Sequence, residues 1–158
     1  MQIETMNNQS FNEWLTEIIS ALFILLFVYT GVSKLNEQNN FRAVLSHSPI
    51  IGSKANFLSL FLPITELFTS ILLFIPNTRK WGLIISFGLM CIFTGYIVYM
   101  ILFTPHLPCS CGGVLKQLTW NQHLILNILF TVLAGLGLWN YNKNKLFIAI
   151  NRRSRIPV

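Results

Sequence analysis

Residues Thr104 to His123 read TPHLPCSCGGVLKQLTWNQH, a short polar stretch set between two long apolar runs, Trp81–Phe103 and Trp120–Trp139. The run before it, WGLIISFGLMCIFTGYIVYMILF, carries no charged residue. About 20 apolar residues in a helix cover the ~30 Å hydrocarbon core of a bilayer at ~1.5 Å per residue. Two further runs upstream have the same character, from about Trp14 to Ser33 and from about Phe57 to Ile75. The pattern predicts an all-α fold, an integral membrane four-helix bundle with a Cys-x-Cys loop between helices 3 and 4. Residues 1–158 then form a single four-span membrane domain with a basic tail over 140–158.

The composition agrees. Of the 158 residues, 53% are hydrophobic and 10% charged, against about 25% charged in soluble domains. A chain of this size cannot hide so much apolar surface in one aqueous core. The net charge of +6 includes no Asp. The cations fall between and after the apolar runs, so they point to membrane topology and lipid headgroups, with no nucleic acid implied. Four spans put both termini on one side. That side holds Arg79, Lys80, Lys143, Lys145, Arg152, Arg153 and Arg155; the other holds Lys34, Arg42, Lys54 and Lys116. The excess predicts a multi-pass protein of a bacterial inner (plasma) membrane with both termini cytoplasmic and the cysteine loop facing the periplasm. Disulfides form and persist there.

Local signals fill in the elements. Met1 to Trp14 lacks the basic segment of a signal peptide. Ser10-Phe-Asn-Glu13 fits a capping box and predicts a helix start. Asn36 to Asn40 is a polar breaker, after which Phe41, Val44 and Leu45 predict a short amphipathic helix at the interface, ended by Ser48-Pro49. Pro63 predicts a kink and a freed carbonyl in the second span. Gly88 and Gly95, seven apart, predict a face where a neighbouring helix approaches closely. Cys91, mid-span, is expected to serve packing, as a buried Cys usually does. Trp14, Trp81, Trp120 and Trp139 all fall at span ends, the aromatic-belt pattern.

The chemistry concentrates in the loop. Cys109 and Cys111 are separated by one residue, which places their Cα atoms roughly 5.5–7 Å apart, at the upper edge of disulfide geometry. A bridge there is strained, and strained exposed bridges are the labile, catalytic kind. Redox exchange is the first reading. The second is metal binding by Cys109, Cys111, His106 and His123, soft S and N ligands for Cu(I) or Zn. The third is a static pair, although so short a loop stabilises little. His123 begins the fourth span and can tune a thiol or shuttle protons. Glu66, the one acidic residue deep in a span, must find a partner, with Lys34, His123 and Asn127 as candidates. Ser59, Pro63, Glu66 and Ser70 share one helix face; so do Trp120, His123, Asn127 and Thr131. Polar stripes turn inward from lipid, so they predict a polar pocket beneath the loop, suited to a quinone head or a proton path.

Gly31-x-x-Lys34-Leu35, Glu66, Cys109-x-Cys111-Gly112 and then Trp120 to Asn127 occur in that order along the spans. The arrangement resembles the MauE/DoxX group of redox-associated four-helix membrane proteins. The resemblance covers nearly the whole chain, and Cys-x-Cys-Gly is its most specific part. It implies work alongside thioredoxin-like proteins in maturing a disulfide-rich exported client, as in methylamine utilisation, and for DoxX-like relatives a link to quinol oxidation. The expected activity is a thiol–disulfide redox protein supporting electron transfer. Cys109, Cys111, His123 and Glu66 are its catalytic candidates. Lys34, Trp120 and Asn127 are the candidates to hold a membrane quinone, the one cofactor in view. The alternative is a non-enzymatic assembly factor, or a metal-binding membrane protein, that uses the same loop.

Overall fold

The computed structural model describes residues 2–48, 51–103 and 119–153. It contains α1 (Gln2–Asn36), α2 (Gln38–Ser46), a 3-10 turn (Gly52–Lys54), α3 (Ala55–Phe74), α4 (Arg79–Phe103) and α5 (Trp120–Arg153), with no strand among the described residues. Four segments are long and apolar enough to cross a membrane: Glu13–Asn36, Gly52–Phe74, Arg79–Phe103 and Asn121–Lys143.

The helix boundaries follow from local chemistry. α1 begins at Gln2 and runs through Ser10, so the expected start at Ser10 is corrected. No Gly or Pro precedes Ser10, so nothing forces the chain out of helix there. The breaker expected over Asn36–Asn40 shrinks to the turn at Glu37, whose φ is −109° and ψ 34°. The helix resumes because α2 gains a docking surface: Phe41 and Leu45 bury against Ala55, Leu58 and Leu62. α3 continues across Pro63, although the ring denies the carbonyl of Ser59 its helical donor. Pro76 ends it, pushing Ile75 to the extended values φ −84° and ψ 118°.

α5 opens on a capping box. The Thr119 amide donates to Gln122 Oε1 at 3.0 Å, and the Gln122 amide donates to Thr119 Oγ1 at 3.4 Å. Thr119→Ala should cost about 1 kcal/mol. Amide exchange should show it as faster exchange at His123, whose N–H bonds Thr119 O at 2.9 Å.

The long helices form a closed ring. α1 packs on α3 and α5, and α4 packs on the same two, so α3 and α5 oppose each other across the centre. The core comprises Ile19, Phe23, Phe27, Leu73, Leu83, Leu89, Met90 and Ala134, with Phe130 edge-on to Phe23 at 5.4 Å between centroids. Three glycines set the close approaches. A Cβ on Gly31 would meet Leu67 at 3.1 Å and the Pro63 carbonyl at 3.3 Å; on Gly82, Leu73 at 2.9 Å including its backbone nitrogen; on Gly137, Ile19 at 3.1 Å and Leu83 at 3.3 Å. Gly88 and Gly95 do not mark a helix contact as expected: a Cβ on either would meet nothing within 4 Å.

The outer face is apolar, with Leu25, Phe57, Phe74, Ile92 and Leu102 exposed, a surface suited to lipid. Cys91 is on that face, which corrects the expectation that it packs inside. In a bilayer a small apolar side chain is solvated equally well on either face. Trp14, Trp81 and Trp139 are exposed near span ends, as a belt requires, and Lys143 lies 5.3 Å over the Trp139 ring. The Trp120 side chain lies outside the described residues. One end of the bundle, where Glu17 and Arg79 approach to 3.6 Å, is therefore distinguished from the other, where Lys34, α2 and the start of α5 gather.

Candidate functional site

At that second end α1, α2, α3, α4 and α5 enclose a cavity of about 230 Å³. Its walls are apolar, from Phe27, Leu45, Leu62, Met90, Phe93 and Ile97 among others, and its polar side chains are Thr30, Lys34, Glu66, Tyr96, His123 and Asn127.

The polar cluster builds from α1 upward. Lys34 sits in the last turn of α1, where a cation complements the helix dipole. Glu66 lies midway along α3, 1 % exposed. Its Oε1 accepts from the Lys34 ammonium in a buried ion pair. Thr30 Oγ1, one turn before Lys34, is 3.1 Å from Glu66 Oε2 and 2.9 Å from the Leu26 carbonyl, so its one proton is shared between two acceptors. The Lys34 ammonium also lies 5.1 Å from the Phe93 ring centroid and 5.6 Å from that of Phe41, within cation–π range. A charge taken out of water is costly unless paired and bonded. Here the carboxylate, a hydroxyl and two aromatic faces stand in for water.

α5 supplies the opposite wall. His123 is in its first turn, half-buried, and Asn127 follows one turn on. Asn127 Nδ2 donates to the His123 carbonyl at 3.0 Å. Thr131 Oγ1 donates to the Asn127 carbonyl at 2.7 Å and lies 3.1 Å from Thr94 Oγ1 on α4.

The two polar stripes therefore meet in part. Glu66 from the first and His123 with Asn127 from the second line one cavity. Ser59 and Ser70 are buried and bond their own helix instead, to Asn56 O at 3.0 Å and Leu67 O at 2.7 Å. Thr131 turns to α4. Of the three partners considered for Glu66, Lys34 makes the contact, and His123 and Asn127 share only the cavity. Sequence reasoning missed Thr30, Phe41 as a wall beside Lys34, and Phe93. Thr30 was findable, since it lies four residues before Lys34 and so shares its helix face. His47 is exposed, with Nδ1 2.7 Å from the Ala43 carbonyl. Cys109, Cys111 and His106 lie outside the described residues. Among the described residues, no three His, Cys, Asp or Glu side chains gather where a metal ion could be held.

The helices on either side of the cysteine loop fix where it joins the bundle. α4 ends at Phe103 and α5 begins at Trp120. Both points are at the cavity end, because α4 starts beside Glu17 at the other end.

Comparison with curated proteins and with solved structures gives no match. The family model described as methylamine utilisation protein MauE matches residues 12–140. That range takes in the Lys34–Glu66 pair, the cysteine loop and the His123–Asn127 turn. With most of its length matched and four apolar helices arranged as a bundle, the chain belongs to the MauE family of multi-pass membrane proteins.

Proposed function

We propose that this protein is a membrane thiol–disulfide redox carrier whose working pair is Cys109 and Cys111, serving a thioredoxin-like protein or an exported client. The observation that carries the reading is the Cys109-x-Cys111-Gly112 motif inside the family-matched stretch, joined to the bundle at the end that holds the polar cavity. A thiolate of the partner attacks one sulfur of the oxidised pair; the S–S bond breaks and a mixed disulfide forms. The partner's second thiolate then displaces the loop cysteine. The partner has lost two electrons and two protons, and Cys109 and Cys111 have gained them as thiols.

Restoring the pair needs an acceptor of two electrons and two protons, the chemistry that a membrane quinone supplies when bound. The residues fit one. The cavity is larger than the ~150 Å³ pocket that holds benzene, its walls are apolar, and its polar groups converge at one end. Lys34, His123 and Asn127 would hold the head, and Glu66 keeps Lys34 in place. The outward orientation of the loop and cytoplasmic termini belong to the same proposal.

The test is trapping. Cys109→Ser and Cys111→Ser should each abolish exchange, and one of them should accumulate a mixed disulfide with its partner, identified by mass spectrometry. Cys91→Ser should leave exchange unchanged. An impermeant thiol reagent should label the loop cysteines in intact reduced cells. Full exchange by both loop variants would sink the redox reading. Activity lost in both variants, with metal copurifying stoichiometrically with the unaltered protein alone, would favour the metal-binding alternative.

A further inference from the structure

We propose that the open cleft between α2 and the start of α3 binds the phosphate headgroup of an anionic phospholipid, whose acyl chains run down the outer face of α3. The site is separate from the cysteine pair and from the central cavity, and it does not depend on the redox reading.

The cleft, of about 400 Å³, is lined by Asn39, Arg42 and Ser46 of α2, by Gly52 and Ser53 of the 3-10 turn, and by Asn56 of α3. Local sequence builds it. Asn39, Arg42 and Ser46 recur at three- and four-residue spacing, so they share one face of α2, while Phe41 and Leu45 bury against α3. Gly52 lets the turn press on the end of α2: a Cβ there would meet the Ser46 carbonyl at 2.7 Å. The lining is rich in donors. Arg42 offers a planar fork of N–H groups that matches phosphate oxygens in pairs, and Asn39, Ser53 and Asn56 add amide and hydroxyl donors. Ser46 is already committed, its hydroxyl donating to the Ala43 carbonyl at 2.6 Å. No acidic side chain lines the cleft. Neither ion pair among the described residues uses Arg42, or Lys54 beside Ser53. The cleft therefore carries positive charge with no carboxylate in its lining to answer it, and an anion satisfies it.

The surface next to the cleft selects a lipid over a free anion. The apolar span begins at Gly52, so the cleft stands at the level where hydrocarbon gives way to headgroups. Leu60, one turn on from Asn56 and on the same face of α3, is exposed, as are Phe57 and Phe61, whose rings stack at 5.1 Å between centroids. A cationic polar cleft that runs into an exposed apolar strip matches an amphiphile with an anionic head. A choline headgroup fits less well, because its ammonium finds no carboxylate in the lining. A phosphate seated there bridges α2 to α3, the elements that supply Phe41, Leu45 and Leu58 to the wall of the central cavity.

The experiment uses the full chain in nanodiscs. Phosphatidylglycerol and phosphatidylcholine, each with a diazirine on one acyl chain, are photolysed in parallel samples, and the crosslinked peptides are mapped by mass spectrometry. Labelling of residues 57–61 should be roughly tenfold stronger with phosphatidylglycerol, the worth of one charge-assisted hydrogen bond. Arg42→Gln should bring it down to the phosphatidylcholine level. Arg42→Lys, which keeps the charge and loses the fork, should retain part of the preference. Labelling near Lys143, at the other end of the bundle, should stay the same in both variants. Equal labelling of residues 57–61 by the two lipids, or a preference that survives Arg42→Gln, would overturn the proposal. So would loss of the labelling on adding millimolar inorganic phosphate, which would assign the cleft to a free anion. The comparison of the two lipids uses the unaltered protein, so it decides even if a variant does not fold.

Discussion

Lys34→Met should destabilise the folded protein by about 3–5 kcal/mol, the cost of leaving one partner of a buried ion pair unmatched. Met keeps most of the length and apolar stem of Lys, so little volume is lost. What is lost is the charge facing Glu66, a residue 1 % exposed whose other bond is to a proton that Thr30 shares with a carbonyl. Glu66→Gln should cost less. Its shape survives, and the side chain left behind, Lys34, is 15% exposed at a helix end, where a long cationic side chain can reach polar surroundings. That variant should fold but turn over more slowly if the pair positions the cavity's polar groups. The double variant Lys34→Met/Glu66→Gln should return to within about 2 kcal/mol of the native protein, because replacing a buried pair by neutral groups is often close to neutral. Unfolding by SDS titration in mixed micelles measures all three. A Lys34→Met cost under about 1 kcal/mol, or a double variant no better than Lys34→Met alone, would show that the pair does not hold α1 to α3.

The second large effect lies at the opposite end and changes sign with position. Gly82→Ala should cost about 1–3 kcal/mol, since overpacking a tight contact moves backbone or forces rotamers. The added Cβ would come within 2.9 Å of the backbone nitrogen of Leu73, which has little freedom to yield. Gly88→Ala and Gly95→Ala, on the same helix, should be neutral or stabilising by up to about 1 kcal/mol. Nothing lies within 4 Å of either added atom, and Ala is the better helix former. The same titration applied to the three variants checks the pattern. A destabilising Gly95→Ala would mean that something packs on that face of α4.

These glycines show what was legible in the sequence and what was not. Four apolar runs of membrane length, punctuated by Pro76 and by polar loops, were enough to fix four spans, because length and hydropathy are set by the bilayer and not by neighbours. The Lys34–Glu66 contact was within reach for a similar reason. A lone carboxylate in hydrocarbon has to be answered, and few cations were available. Gly88 and Gly95 misled because periodicity says which residues share a face but not what that face meets. In a soluble bundle hydrophobicity would decide. Here both faces of α4 are apolar, so Cys91 reads equally well as buried or lipid-facing. Phe93 could not be singled out from the thirteen phenylalanines, since its role depends on α4 crossing near Lys34. Ser10-x-x-Glu13 and Thr119-x-x-Gln122 carry the same type of signature, yet only the second caps a helix. In the first case the residues before Ser10 continue the helix, so Ser10 is not at a helix start.

The spacing of the buried pair along the chain bears on how the protein is made. Lys34 and Glu66 are 32 positions apart, so the ribosome delivers the cation well before its counterion. While α1 is being inserted, its C-terminal turn carries an ammonium with no carboxylate to receive it, and an unpaired charge in hydrocarbon is costly. That turn must wait near the headgroups until α3 emerges. The amphipathic α2, with Phe41 and Leu45 buried on one side, is the segment synthesised during the wait, and in the folded protein it packs against Ala55, Leu58 and Leu62 at the start of α3. The ion pair that joins α1 to α3 can therefore close only once α3 has been made.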